Sequence, residues 1–128
     1  MQKEKLINNL KNVQENIKIA AAKADRNYED VKILAVSKKH SYEEVKILKQ
    51  AGVKLFGENR VQELEDKNEK LLSDNIRLDW HFIGHLQRNK VKYLMRMENC
   101  KMIESIDSLR LAKEVNKRAK KNERKIPV

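Results

Sequence analysis

Apolar residues recur at three- and four-residue steps over the first 24 positions, at Leu6, Leu10, Val13, Ile17, Ala20, Ala21 and Ala24. That spacing draws one stripe down a helix and predicts that the helix packs on something else. A polar stretch from Asp25 to Asp30 ends the pattern, and the run Val31-Lys32-Ile33-Leu34-Ala35-Val36-Ser37 follows. Short, branched and mostly apolar, it reads as a buried strand of a parallel sheet.

The rest of the chain repeats this exchange of periods. Ser41 and Glu44 carry a capping-box signature, and Tyr42, Val45, Leu48 and Ala51 keep helical spacing until Gly52 stops the run. A second strand is predicted over Val53 to Phe56 and a turn at Gly57-Glu58-Asn59. Asn59 would cap a helix with Val61, Leu64, Leu71 and Leu72 on its inner side. Leu78 to Ile83 reads as a third strand, Leu86 to Met97 as its helix, and Lys101 to Ile106 as a fourth strand. Asp107 then caps a helix bearing Leu111, Ala112, Val115 and Ala119, and Ile126-Pro127-Val128 looks like the opening of a fifth strand.

Strand starts near 31, 53, 78, 101 and 126 recur about every 24 residues. Strictly alternating strands and helices imply a parallel sheet with right-handed crossovers. Two architectures use that alternation, an open doubly wound sheet and a closed eight-stranded barrel of about 250 residues. Four units and a stub amount to half of the barrel. The expected fold is therefore α/β, a partial (β/α)8 TIM-type barrel of about four β/α units preceded by an N-terminal helix. Residues 1–128 would be the N-terminal part of a single barrel domain, cut near the start of strand five. Its raw edges and uncovered interior would invite self-association.

Composition narrows the class. The chain has 128 residues, 40% hydrophobic and 38% charged, enough for one modest core. No run of eighteen apolar residues suggests a membrane span. A single cysteine, Cys100, rules out an internal disulfide framework and fits a reducing, cytoplasmic setting. The formal charge of +10 is concentrated near the C-terminus at Lys113, Lys117, Arg118, Lys120, Lys121, Arg124 and Lys125. Such a run attracts polyanions, but no aromatic residue interleaves with it to stack on bases. It reads as a solvated helix face, with a nucleic-acid-binding module as the weaker alternative.

Candidate chemistry follows from the fold. In parallel β/α proteins the reactive groups gather where the carboxyl ends of strands turn into loops. Lys38 sits there, directly after the first strand, and its alternation partners Leu34 and Val36 suggest a partly apolar pocket. Desolvation there would favour the neutral amine, as an imine-forming lysine requires. Lys39 could claim the role from position alone. His81 and His85 have the i, i+4 spacing of a zinc pair, yet they straddle Gly84 and have no Glu between them in the catalytic position. No metal site is expected. His81 would lie at the mouth of the barrel, near a ligand or ordering its own loop. Gln87, Asn89 and Lys90 could bind an anion or merely cap their helix. Cys100 reads as a small buried apolar residue.

Three motifs then appear in order: Ala35-Val36-Ser37-Lys38, Phe56-Gly57-Glu58-Asn59-Arg60-Val61-Gln62-Glu63, and Trp80-His81-Phe82-Ile83-Gly84-His85-Leu86-Gln87-Arg88-Asn89-Lys90. Together they resemble the pyridoxal phosphate homeostasis protein family, which is similar in fold to the N-terminal barrel of alanine racemase. The resemblance implies that Lys38 carries pyridoxal 5′-phosphate (PLP) as a Schiff base, that Asn59 meets the cofactor's edge, and that the chain has no catalysis of its own. It implies a role in keeping intracellular B6 vitamers in balance. The alternative within the same fold is a PLP-dependent amino-acid racemase, which needs a second base, for which Tyr42 and Tyr93 are candidates. The resemblance also implies a phosphate-binding loop and an arginine facing the pyridine nitrogen, both beyond residue 128. Phosphate contacts supply much of a cofactor's retention, so these residues alone are expected to bind PLP weakly or not at all.

Overall fold

A computed structural model describes residues 2–128. A long helix α1 (Gln2–Lys23) precedes four β/α units. These are β1 (Leu34–Val36) with α2 (Tyr42–Gln50), β2 (Leu55–Glu58) with α3 (Val61–Ser73), β3 (Asp79–Phe82) with α4 (Val91–Arg96), and β4 (Cys100–Ile103) with α5 (Leu109–Lys121). The strands form one parallel sheet in the order β1-β2-β3-β4. Sequential order is that of a barrel segment, since a doubly wound sheet reverses direction at a switch point. The two faces agree. Phe56, Glu58, Trp80, Phe82, Cys100 and Ile103 point to one side and are almost completely buried under the helices. On the other side Val36 is 47% exposed, and Leu34, Leu55, Ile83 and Met102 are half-buried. The fold is therefore α/β, with four parallel strands alternating with helices as in part of a TIM-type barrel.

Local signals placed several boundaries as expected. The Ser41 hydroxyl accepts from the Glu44 N–H at 3.3 Å while the Glu44 carboxylate accepts from the Ser41 N–H at 3.2 Å, closing the capping box of α2. Gly52, with φ +106°, ends that helix in a conformation side chains rarely adopt. Other boundaries differ. β1 is shorter than Val31–Ser37, because Val31 closes a 3-10 turn over Tyr28–Asp30. β2 runs two residues later than expected, so Gly57 and Glu58 belong to the strand, with Gly57 paired to Val36 and His81. The cap of α3 is Arg60 and not Asn59, whose backbone packs on Gly84. Ser108, not Asp107, caps α5 by accepting from Leu111 N–H at 3.1 Å. The segment expected to be helical over Leu86–Met97 opens with a 3-10 turn at Arg88–Lys90.

Helix α1 buries only Leu10 and Ala21, and Val13 is 47% exposed, because the helix packs chiefly on α2. Leu72 is likewise exposed. No strand is formed at Ile126-Pro127-Val128, but the Pro127 carbonyl accepts from Ile103 N–H at 3.1 Å, beside β4. No helix among the described residues is long and apolar enough to cross a membrane.

Two polar clusters, one buried and one half-buried, support the sheet's amino end. Trp80, tilted 58° against Phe56 at 6.0 Å, donates its indole N–H to Asn68, which also accepts from Asn99 at 2.7 Å. Arg124 donates to the carbonyls of Met95 and Met97, which α4 leaves open at its end, and to that of Cys100 at the start of β4. Beneath it, burial pushes the Cys100 thiol up to about 11 from 9.0, outweighing the pull of Arg124. Alkylation of native Cys100 at mildly alkaline pH is therefore expected to be roughly a hundredfold slower than in the unfolded chain. Timed labelling with iodoacetamide in buffer and in denaturant checks this.

Candidate functional site

The carboxyl ends of the strands carry the candidate residues. Val36, Gly57, His81 and Met102 form one row across β1 to β4 on the open face. A Cβ at Gly57 would lie 3.1 Å from Ile83 Cδ1 and 3.2 Å from Leu34 Cδ2, so these two side chains close over the glycine from either end. Lys38 lies two residues beyond this row after β1, Asn59 two beyond it after β2, and His81 within it.

Lys38 is exposed, and among the described residues its ammonium enters no ion pair or hydrogen bond. The partly apolar, desolvating pocket expected from Leu34 and Val36 does not form. The chain leaves the strand in a turn, and no second layer covers this face among the described residues. That turn is unusual. The Ser37 carbonyl accepts from His40 N–H at 3.0 Å, making Lys38 and Lys39 the two central residues of a β-turn. Lys39 has φ +63°, the left-handed region where a turn normally places Gly or Asn.

Beneath the turn lies a polar cluster that sequence reasoning missed. Glu58, fully buried at the end of β2, accepts from the Ser37 hydroxyl at 2.5 Å and from Lys67 Nζ at 2.6 Å. Lys67, from the inner face of α3, also donates to the Ser37 carbonyl at 2.5 Å and to Glu63 at 3.1 Å. Glu63 in turn accepts from the Lys39 backbone N–H at 2.6 Å. Both residues flanking Lys38 are thus held by α3. Burial works against the Glu63 charge, but the Lys39 N–H and the Lys67 ammonium hold its carboxyl below its ordinary value. A depressed carboxyl stabilises the fold above its unfolded value of 4.5, and that contribution is lost as the pH falls through the lower folded value. One signal in the sequence marks Lys67: it interrupts the stripe Val61, Leu64, Asn68 and Leu71 on the buried face.

His81 is mostly buried, and its Nδ1 lies 2.6 Å from the Glu104 carboxylate just past β4. A carboxylate only accepts, so Nδ1 carries the proton. Asn59 is half-buried, its backbone against Gly84. The other candidates fall elsewhere. Tyr42 belongs to α2 with Lys46 and Lys70 over its ring, and Tyr93 to α4 amid Lys90, Lys92 and Arg96. Both tyrosines are in the helical layer, so neither supplies a second base on the open face. A groove of about 810 Å³ between α1 and the amino ends of β1 and β2 lies at the opposite end from Lys38.

The lysine, amide and imidazole that face this end of the sheet suit an aldehyde-bearing cofactor. The profile for the N-terminal domain of alanine racemase matches residues 8–128. The pyridoxal phosphate homeostasis protein of Aquifex aeolicus is 54% identical over 71 residues, 56% of this chain and 29% of that protein. Its Pasteurella multocida namesake is 38% identical over 108 residues, 84% of this chain and 46% of that one. Among solved structures, PipY of Synechococcus elongatus with PLP bound is 34% identical with a TM-score of 0.70, covering 84% of this chain and 50% of that one. The matches thus span half or less of these relatives' own length.

Proposed function

This chain belongs to the alanine racemase N-terminal domain family, and we propose that it is the lysine-bearing part of a PLP-binding protein of intracellular cofactor homeostasis. The observation that carries this reading is Lys38, an exposed and unpaired amine on a turn fixed from below at both neighbours. Lys38 would hold the cofactor through its amine, as a Schiff base to the aldehyde that the cofactor would supply. Ser37, Glu58, Glu63 and Lys67 hold the backbone on either side of Lys38 at the rim of the open face. Asn59 would border the cofactor, and His81, held through Nδ1 by the Glu104 carboxylate, would lie beside it.

The same reading gives the protein no catalysis of its own, in keeping with the names of the homeostasis proteins it resembles. It makes residues 1–128 the N-terminal part of a single barrel domain, with the Pro127 to Ile103 bond supporting a fifth strand near residue 126. It also places the protein in the cytoplasm, where Cys100 stays reduced, with the small cofactor as its partner and the open face free to self-associate. Nucleic acid and membrane have no part in it.

Titration of the chain with PLP, read by imine absorbance, tests this. A band is expected only at roughly millimolar cofactor, since most phosphate contacts are missing. It should vanish in Lys38→Ala and persist in Lys39→Ala. A band unchanged by Lys38→Ala would overturn the reading.

A further inference from the structure

We propose that Glu63 is a positioning residue for Lys38, acting through the backbone of the Ser37–His40 turn. This rests on Lys38 being the cofactor lysine. A turn with Lys39 at φ +63° costs energy that a glycine would not, and such strain persists only where the surroundings over-determine it. The Lys39 N–H, at the centre of the turn, needs an acceptor, and Glu63 Oε1 supplies it at 2.6 Å. Being charged, that acceptor makes the bond a strong one.

Glu63 is itself fixed. It sits in the first turn of α3, and Lys67, one turn further on, holds its carboxylate at 3.1 Å while also donating to the Ser37 carbonyl. The peptide units before and after Lys38 are therefore tied to the same helix through two side chains four residues apart. Lys38 is the residue between the two ties, and its own side chain is left free. Without Glu63 the Lys39 peptide can rotate toward the favoured right-handed region, swinging the Lys38 side chain off the open face.

The test is selectivity of labelling. The chain is treated with PLP and borohydride, and the label on Lys38 is measured by peptide mass spectrometry relative to the exposed Lys11 and Lys121. In the native protein Lys38 is expected to dominate. Glu63→Ala should lower its ratio about tenfold, as a small misplacement of a reacting group does, and Glu63→Gln, which keeps an Oε1 acceptor, should restore it to within about threefold. A structural role alone would lower the melting temperature and leave the ratio unchanged. If the alanine variant fails to fold, Glu63→Asp, one methylene short of the Lys39 N–H, takes its place with the same expected loss. A selective native protein whose ratio survives Glu63→Ala or Glu63→Asp overturns this proposal alone. Unselective labelling of the native protein overturns the cofactor reading on which it rests.

Discussion

Replacing Lys67 with alanine is expected to lower the unfolding free energy by about 3–5 kcal/mol, the range for breaking one side of a buried ion pair. The Lys67 side chain is 9% exposed and that of Glu58 0%, so the carboxylate left behind has no access to water. Only the Ser37 hydroxyl would still donate to it, and its Oε1 already lacks a partner. Lys67→Met, which keeps most of the volume, should cost nearly as much, because the lost charge and not the lost packing dominates. Adding Glu58→Gln to Lys67→Met should recover a substantial part by removing the stranded charge. Chemical denaturation with linear extrapolation measures all three. A loss below about 1 kcal/mol for Lys67→Ala would mean that water reaches Glu58 and the pair is not a buried one.

Gly84→Ala is the second substitution with a large expected effect. A methyl group at Gly84 would lie 2.3 Å from the Asn59 carbonyl oxygen and 2.6 Å from both Asn59 Cα and Cβ. Two of these atoms are backbone, so no side-chain rotation relieves the clash. The loops after β2 and β3 must separate, and overpacking of this kind costs about 1–3 kcal/mol. Asn59 would move with its loop, so cofactor binding should weaken along with stability. Gly57→Ala meets only side-chain atoms, at 3.1 and 3.2 Å, and should cost less. Denaturation midpoints of the two variants compare them directly, and equal midpoints would contradict the close approach at Asn59.

What could be read from the sequence was what local chemistry determines. The capping box at Ser41 and Glu44 and the stop at Gly52 depend on residues within one turn, and both stand as expected. The alternation of strands and helices likewise pointed to a parallel sheet. Alternation alone fits both the barrel and the doubly wound sheet; the count of units favoured the barrel, and the sequential strand order agrees with it. Pairing between strands is not local, and there the reading slipped. Gly57 and Glu58 resemble turn residues but serve as strand residues, because β1 and β3 flank them and fix the register. That slip hid the charged pair, since only a strand residue facing the helices could meet Lys67. The location of Lys38, Asn59 and His81 at one end of the sheet was legible from their places at the carboxyl ends of successive strands expected to be parallel. The turn that presents Lys38 was not, because Glu63 and Lys67 reach it from 24 and 30 residues away.

Lys38 is the attachment point proposed for the cofactor. Reduction of the PLP-treated chain with borohydride, followed by proteolysis and peptide mapping, tests it most directly because the label is covalent and its position is read residue by residue. A pyridoxyl group is expected on Lys38 well above every other lysine. A label concentrated on Lys39, or spread evenly over the exposed lysines, would contradict it.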